Sequence, residues 1–244
     1  MIRIFMTMSG NLGDTLNVMP VLSGIHKSTG HKVSLVVRNK MKMFNGFKEF
    51  MEMQDCIAAL KFESDVTIDD TYQLLSLTDN LKPDPVIPLE TLRLEQDFKS
   101  KYNLEFELDN SFMFNVPEVE PITNKYLVGD RMVHPDMDQR RPMGVLEASG
   151  KFPLDKCHFL DYNNTIAYNA GLVHASPHPL LTTFTGISII GDLLNKETLV
   201  LWDDTLKDWD NKHISYSYNK HFYRDRKSVL MHIDKFSIPD EDIS

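Results

Sequence analysis

Cysteine is scarce in this chain. Cys56 and Cys157 stand 101 positions apart, and neither has a CxxC or CxH partner. That argues against a disulfide scaffold or a zinc site and fits a reducing cytoplasm. Long apolar runs are missing as well: none approaches the roughly 18–20 residues that cross a bilayer, so no membrane span is expected. The opening Met-Ile-Arg-Ile-Phe-Met-Thr-Met has neither the cationic start nor the cleavage site of a signal peptide, and it reads directly into a strand. Positive charge is not in excess. With 26 Lys and Arg against 35 Asp and Glu the net charge is −9, which disfavours a general nucleic-acid coat protein. The sequence shows no repeat, heptad or low-complexity tract.

What is present is enough for a packed core. The chain has 244 residues, 42% of them apolar, room for one large domain or two small ones. Its 13 Met residues read as adaptable core filler. Ile2–Met8 is a buried strand, Ser9–Asp14 a tight polar turn, and Thr15–Thr29 has helical spacing, with Pro20 kinking it or shifting its start. Gly30 is placed to cap that helix, and Lys32–Arg38 is a second strand. This is a βαβ unit, which implies a parallel sheet with a right-handed crossover.

The spacing of Phe44, Phe47 and Phe50 predicts an amphipathic helix over Met41–Met53 with a core-facing stripe. Short strands are expected at Cys56–Phe62, Asp65–Ile68 and Phe112–Val116, a helix at Glu90–Tyr102, and an ambiguous helix at Thr71–Leu81. Lys82–Pro88 is a rigid extended segment. Pro117–Pro121 is the best linker. A second series then begins, with strands at Lys125–Gly129, Cys157–Asp161 and Leu172–Ala175 and a helix over Asn163–Ala170. A second helix runs from Ser176-Pro177-His178-Pro179 to about Asn195, and a strand follows at Glu197–Trp202.

Four constellations can carry chemistry. Ser9-Gly10-Asn11-Leu12-Gly13-Asp14 follows a strand and opens a helix, whose free N–H groups suit a phosphate. Its spacing is neither Gly-x-Gly-x-x-Gly nor a P-loop, and an ordinary turn capped by Asp14 remains open. Ser176 and His178 read as donors to a ligand phosphate at the carboxyl end of a strand, or as structural caps. A Ser/His hydrolase is a distant alternative, because no Gly-x-Ser-x-Gly elbow occurs. Arg131, Arg140, Arg141 and Lys151 offer cations to phosphate oxygens, or else pair with nearby Asp residues. In Lys212–Lys227 five cations against the single Asp225 give +4, interleaved with Tyr216, Tyr218, Phe222 and Tyr223. Such a segment suits a nucleotide or single-stranded nucleic acid, or covers the core with its rings.

The run Phe5–Thr15, then Met19-Pro20-Val21-Leu22 and Lys32–Val37, resembles the opening of the ADP-heptose:lipopolysaccharide heptosyltransferase family, and Thr165–Trp202 resembles that family's nucleotide-sugar half. The resemblance implies an α/β GT-B glycosyltransferase: two small Rossmann-like domains with mainly parallel sheets facing a cleft. It implies an acceptor-side domain over 1–118 and a nucleotide-sugar domain over 122–244, whose tail packs back on the first. It also implies an inverting reaction with no required metal or cofactor and a UDP- or ADP-sugar as donor. The family's acidic base in the first turn matches Asp14, an acceptor hydroxyl being deprotonated as it attacks the anomeric carbon. Asn11, Gly13, Arg131, Arg140, Arg141, Lys151, Ser176 and His178 would then hold the donor. The family's Asp-Ser-Gly-type loop is here taken to be replaced by Ser176–Pro179. A chain this short makes lipopolysaccharide a poor acceptor. Its Met-, Asp-, Asn- and Lys-rich compactness resembles proteins of large T-even-like phages, whose small glycosyltransferases put glucose or arabinose on 5-hydroxymethylcytosine. That resemblance implies DNA as acceptor, met by Lys220, Tyr223, Arg224 and Arg226, and a host-cytoplasmic location. A degenerate member that binds a nucleotide or a partner without turnover is the alternative.

Overall fold

A computed structural model of the chain describes residues 2–6, 12–69, 72–75, 105–130, 145–183, 185–202 and 228–238. β1 (Ile2–Met6), β2 (Val33–Val37), β3 (Ile57–Phe62) and β4 (Gln73–Leu75) form a parallel sheet in the order β3-β2-β1-β4. β5 (Tyr126–Gly129), β6 (Cys157–Phe159), β7 (Leu180–Thr182), β8 (Thr198–Trp202) and β9 (Ser228–His232) form a second, in the order β6-β5-β7-β8-β9, again parallel. The helices are α1 (Leu12–Leu16), α2 (Met19–Thr29), α3 (Phe47–Glu52), α4 (Val145–Ala148), α5 (Ile166–Ala175) and α6 (Gly186–Leu193). Among the described residues no helix is long and apolar enough to cross a membrane.

The first βαβ unit follows from its residues. Pro20 cannot donate a backbone N–H inside a helix, so the chain turns at Asn17–Val18 and α2 restarts at Met19 with Pro20 in its first turn. Gly30 ends α2 in the left-handed region at φ 72°, its N–H bonded to the His26 carbonyl at 2.8 Å. Met6, Met19, Met41 and Met51 are buried core residues. Cys56 and Cys157 are buried free thiols, pushed up by burial to about 12 and about 11, and so stay protonated.

Several expectations are corrected. Phe44, Phe47 and Phe50 do face the core, but not from one helix. Gly46, at φ 69°, separates a 3₁₀ turn at Asn39–Met43 from α3. Asp65–Ile68 is no strand: Glu63–Asp65 is a 3₁₀ turn, followed by Val66 in an extended conformation and no further regular structure to Ile68. Within Thr71–Leu81 the described part is β4, a strand rather than a helix. Phe112–Val116 forms no strand ladder. Leu172–Ala175 belongs to α5, and the stretch read as one helix from Ser176 to Asn195 is β7 followed by α6. β9 was not foreseen. Lys82–Pro88 and Glu90–Tyr102 lie outside the described residues.

One apolar cluster contains residues of both sheets, from Ile4, Leu35 and Phe47 to Leu127, Leu180 and Ile190. The segment from Glu105 to Pro121 crosses between the halves. Gln54, buried, clasps it: its Oε1 accepts from Asn115 N at 2.8 Å, and its Nε2 donates to the carbonyls of Asn115 and Phe50. Gly46 abuts Thr165, and the Asn45 carbonyl accepts from Ile166 N at 2.9 Å, in the first turn of α5.

Asp109 anchors the same segment. Its carboxylate accepts from Ser23 at 2.6 Å and from Ser111 at 2.8 Å, and pairs with Lys27 at 2.7 Å. Burial works to raise its pKa, but the bonds from Lys27, Ser23 and Ser111 together outweigh it, and the pKa lies below the ordinary 3.8. A depressed carboxyl stabilises the fold above its unfolded pKa and loses that contribution as pH falls through its folded pKa. Stability measured by denaturant unfolding should therefore drop below about pH 4, the unfolded value. Asp109→Asn should be less stable than wild type at pH 7 and show a shallower loss over the acid range.

Candidate active site

In the second sheet the chain runs from β5 outward to β6, then returns to place β7 on the other side of β5. Open parallel sheets bind ligands at such a reversal, outside the carboxyl ends of the strands. At that point β5 ends at Gly129, with Asp130 next, and β7 ends at Thr182, with Thr183 next. Thr182 Oγ1 donates to the Gly129 carbonyl at 2.5 Å, and Thr183 N reaches the same oxygen at 3.4 Å. A side chain on Gly129 would meet Ile187 at 2.5 Å, so the strand end and the first turn of α6 are in close contact.

Two hydroxyls here are left over. Thr183 Oγ1 and Thr185 Oγ1 are buried with no hydrogen-bond partner among the described residues, Thr183 being 2% exposed. An unmet buried hydroxyl costs about 1–3 kcal/mol. Thr185 occupies the N-cap of α6 in an extended conformation, yet its side chain makes no capping bond. The first turn of α6 therefore lacks a side-chain cap, and a helix start offers N–H donors and a positive dipole end. Ser188 turns its own hydroxyl back to the Thr185 carbonyl at 2.6 Å.

Asp130 organises the neighbouring strand end. Buried, it accepts from Leu146 N at 3.1 Å and Glu147 N at 2.9 Å with its two carboxylate oxygens, capping α4. Tyr162 donates its phenol to the Asp130 carbonyl. Burial, aided by the Asp130 charge, pushes that phenol well above its usual range, so it remains a donor. Asp130 and α4 thus bring together the two flanks of residues 131–144. Arg131, Arg140 and Arg141 are in that stretch, outside the described residues.

The first sheet contributes α1. Gly13 is half-buried, and Asp14 sits in the first turn of the helix, within α1 rather than at its N-cap. A Cβ on Gly13 would lie 3.9 Å from Gly186 Cα and 3.7 Å from Ile189 Cγ1, so α1 lies against the first turn of α6. Asn11 lies outside the described residues, as do Lys220, Tyr223, Arg224 and Arg226.

Ser176 and His178 are elsewhere. Ser176 ends α5 and His178 leads into β7, so both stand at the amino end of that strand, not the carboxyl end that was expected. The reason is the misread α5, which shifted the strand by one element. His178 Nε2 lies 2.7 Å from the Thr123 carbonyl, and its ring packs beside Tyr126. Ser176 is 3% exposed, and among the described residues its hydroxyl accepts only a long 3.4 Å bond from the His178 backbone N–H. The imidazole does not face the hydroxyl, so the hydrolase pair is not formed. Lys151 is engaged by Asp234 Oδ1 at 2.8 Å and the Ile233 carbonyl at 3.1 Å.

Thr183, Thr185 and Gly186 were missed in the sequence. Their signal was Thr-Thr-Phe-Thr-Gly before the apolar run from Ile187, the hydroxyl-and-glycine punctuation of a helix start.

Neither a family model nor a curated protein matches the sequence. Solved structures do match in shape. A glycosyl transferase family 9 protein from Veillonella parvula DSM 2008 aligns over 98% of this chain and 90% of its own, with TM-score 0.56 and 11% identity. The E. coli heptosyltransferase WaaC with ADP aligns over 100% and 95%, with TM-score 0.53 and 12% identity. WaaC with ADP-2-deoxy-2-fluoro heptose gives TM-score 0.53 at 10% identity over the same shares. At such identities the likeness is one of architecture, and with its two parallel sheets the chain has the GT-B glycosyltransferase fold.

Proposed function

We propose that the chain is an inverting glycosyltransferase that moves a sugar from a nucleoside-diphosphate sugar to an acceptor hydroxyl. The observation that carries this reading is the pair of unpartnered hydroxyls, Thr183 and Thr185, before an uncapped helix start at the reversal of a parallel sheet. Donors gathered there without a partner suit a group rich in acceptor oxygens, and a diphosphate is such a group. The GT-B fold and the WaaC structures with ADP and with ADP-2-deoxy-2-fluoro heptose support the same choice. UDP- and ADP-sugars are the donors to try first.

The acceptor oxygen attacks the anomeric carbon as the bond from that carbon to the diphosphate oxygen breaks. Asp14 takes the acceptor's proton. The departing diphosphate takes its stabilisation from the α6 N–H groups and the two threonines, with Arg131, Arg140 and Arg141 as cations beyond β5. A single displacement inverts the anomeric centre. The acceptor we propose is the hydroxymethyl group of 5-hydroxymethylcytosine in DNA, approached by the Lys212–Lys227 segment. Its test is the mass of such DNA after incubation with donor and protein, beside unmodified DNA.

Thr183→Val tests the site itself. Removing a hydroxyl that serves the ligand should weaken binding of ADP or UDP about tenfold, or ~1.4 kcal/mol, in a calorimetric titration. Because that hydroxyl has no partner among the described residues, the thermal midpoint should hold or rise. A fall in midpoint with unchanged nucleotide affinity would mean that Thr183 serves only the fold.

A further inference from the structure

We infer that Leu12 is a positioning residue: it seats α1, the helix that carries Asp14, on the first turn of α6. It thereby sets the distance from the base to the donor diphosphate. This rests on the glycosyltransferase reading above.

The contact is between a side chain and a missing one. Leu12 is 5% exposed, and it fills the space over Gly186. A Cβ on Gly186 would stand 2.7 Å from both Leu12 Cγ and Cδ2 and 3.0 Å from Leu12 Cβ. The approach to Leu12 Cβ needs only a few tenths of an ångström of give, but Cγ and Cδ2 must be displaced outright, and the leucine is buried, so a methyl on Gly186 pushes the side chain out of its seat and α1 with it. Gly13 follows immediately, and a Cβ built on it would stand in ordinary van der Waals contact with Gly186 and Ile189, so the next residue of α1 faces the same turn of α6.

The seat joins the two halves of the proposed chemistry. α1 belongs to the turn after β1, and α6 to the turn after β7, so each lies at the carboxyl end of its own sheet. Asp14 is two residues beyond Leu12. Gly186 directly follows Thr185, whose hydroxyl is one of the two left unpartnered. Other contacts between the halves, such as Asn45 with Ile166, hold them together without touching either turn. Leu12 over Gly186 therefore fixes the spacing of base and leaving group, and reacting groups are sensitive to spacing: a 1 Å misplacement can cost about 10²-fold in rate.

The test compares wild type, Leu12→Ala, Gly186→Ala and the double variant, well below their thermal midpoints. Donor KM and kcat for nucleotide release are measured for each. Gly186→Ala should lower kcat by about 10²-fold, with donor KM changing much less. Leu12→Ala in the same chain makes room for the new methyl, and the double variant should recover most of kcat. A contact that only packs the halves would move the thermal midpoint and leave kcat near wild type. That result, or a double variant no faster than Gly186→Ala, overturns the role of Leu12 while the transferase reading stands. A wild-type chain that releases no nucleotide from any donor overturns that reading, and the role of Leu12 with it.

Discussion

Asp14→Asn is expected to cut sugar transfer by about a thousandfold, the middle to upper range for a lost general base. The substitution keeps the size and shape of the side chain and removes its negative charge and its ability to take a proton. Nucleotide affinity should stay near wild type, because the proposed diphosphate donors are the first turn of α6 and Thr183 and Thr185, not α1. Stability should fall little. An acidic residue in a helix's first turn contributes about 0.3–1 kcal/mol through the helix dipole, and Asn forgoes at most that. The check is a pair of measurements on one preparation: initial rate of nucleotide release and the dissociation constant for the nucleotide. Full turnover would remove Asp14 from the mechanism.

Gly24→Ala should be strongly damaging to the fold, with a loss of about 3 kcal/mol or more in denaturant unfolding. The ordinary expectation has the opposite sign, since Ala in a helix interior is favoured over Gly by about 1 kcal/mol. Gly24 is inside α2, but a Cβ there would overlap the Glu107 carbonyl oxygen and lie 3.2 Å from Asp109 N. The obstacle is backbone, and that backbone is pinned. Asp109 N donates to the Pro20 carbonyl at 3.1 Å, and its carboxylate is held by Ser23 and Lys27 on the same helix. The crossing segment cannot lift away without losing these bonds. Gly30→Ala is the natural comparison. Its neighbourhood is open and only its φ of 72° resists a side chain, so the cost should stay near 1–2 kcal/mol. A neutral or stabilising Gly24→Ala would contradict the described crossing.

How far the sequence could be read varied along the chain. The first βαβ unit was legible because its punctuation is strong: a β-branched run at Val33–Val37, Pro20 at a helix start, Gly30 at its end. The phenylalanine stripe was right about burial and wrong about the helix, because Gly46 divides it at a positive φ that the spacing alone does not reveal. The decisive miss was α5. That ten-residue helix is buried on most sides, so its apolar residues have no clear period, and Leu172–Ala175 looks like a strand. Its Thr165 cap, accepting from Tyr168 N at 3.2 Å, was the local signal to weigh instead. β7 has only three residues and follows two prolines, so it was absorbed into a helix. Shifted by one element, the candidate anion seat fell on Ser176–Pro179, when the unpartnered hydroxyls are at Thr183 and Thr185.

The central claim, transfer from a nucleotide sugar, is tested most directly by incubating the chain with a panel of ADP- and UDP-sugars and measuring free nucleoside diphosphate. The expected result is release from at least one donor, slow without an acceptor and faster with one, and lowered in Asp14→Asn. Thermal stabilisation by the nucleotide with no release from any donor would contradict the claim and identify a binding protein built on a transferase fold.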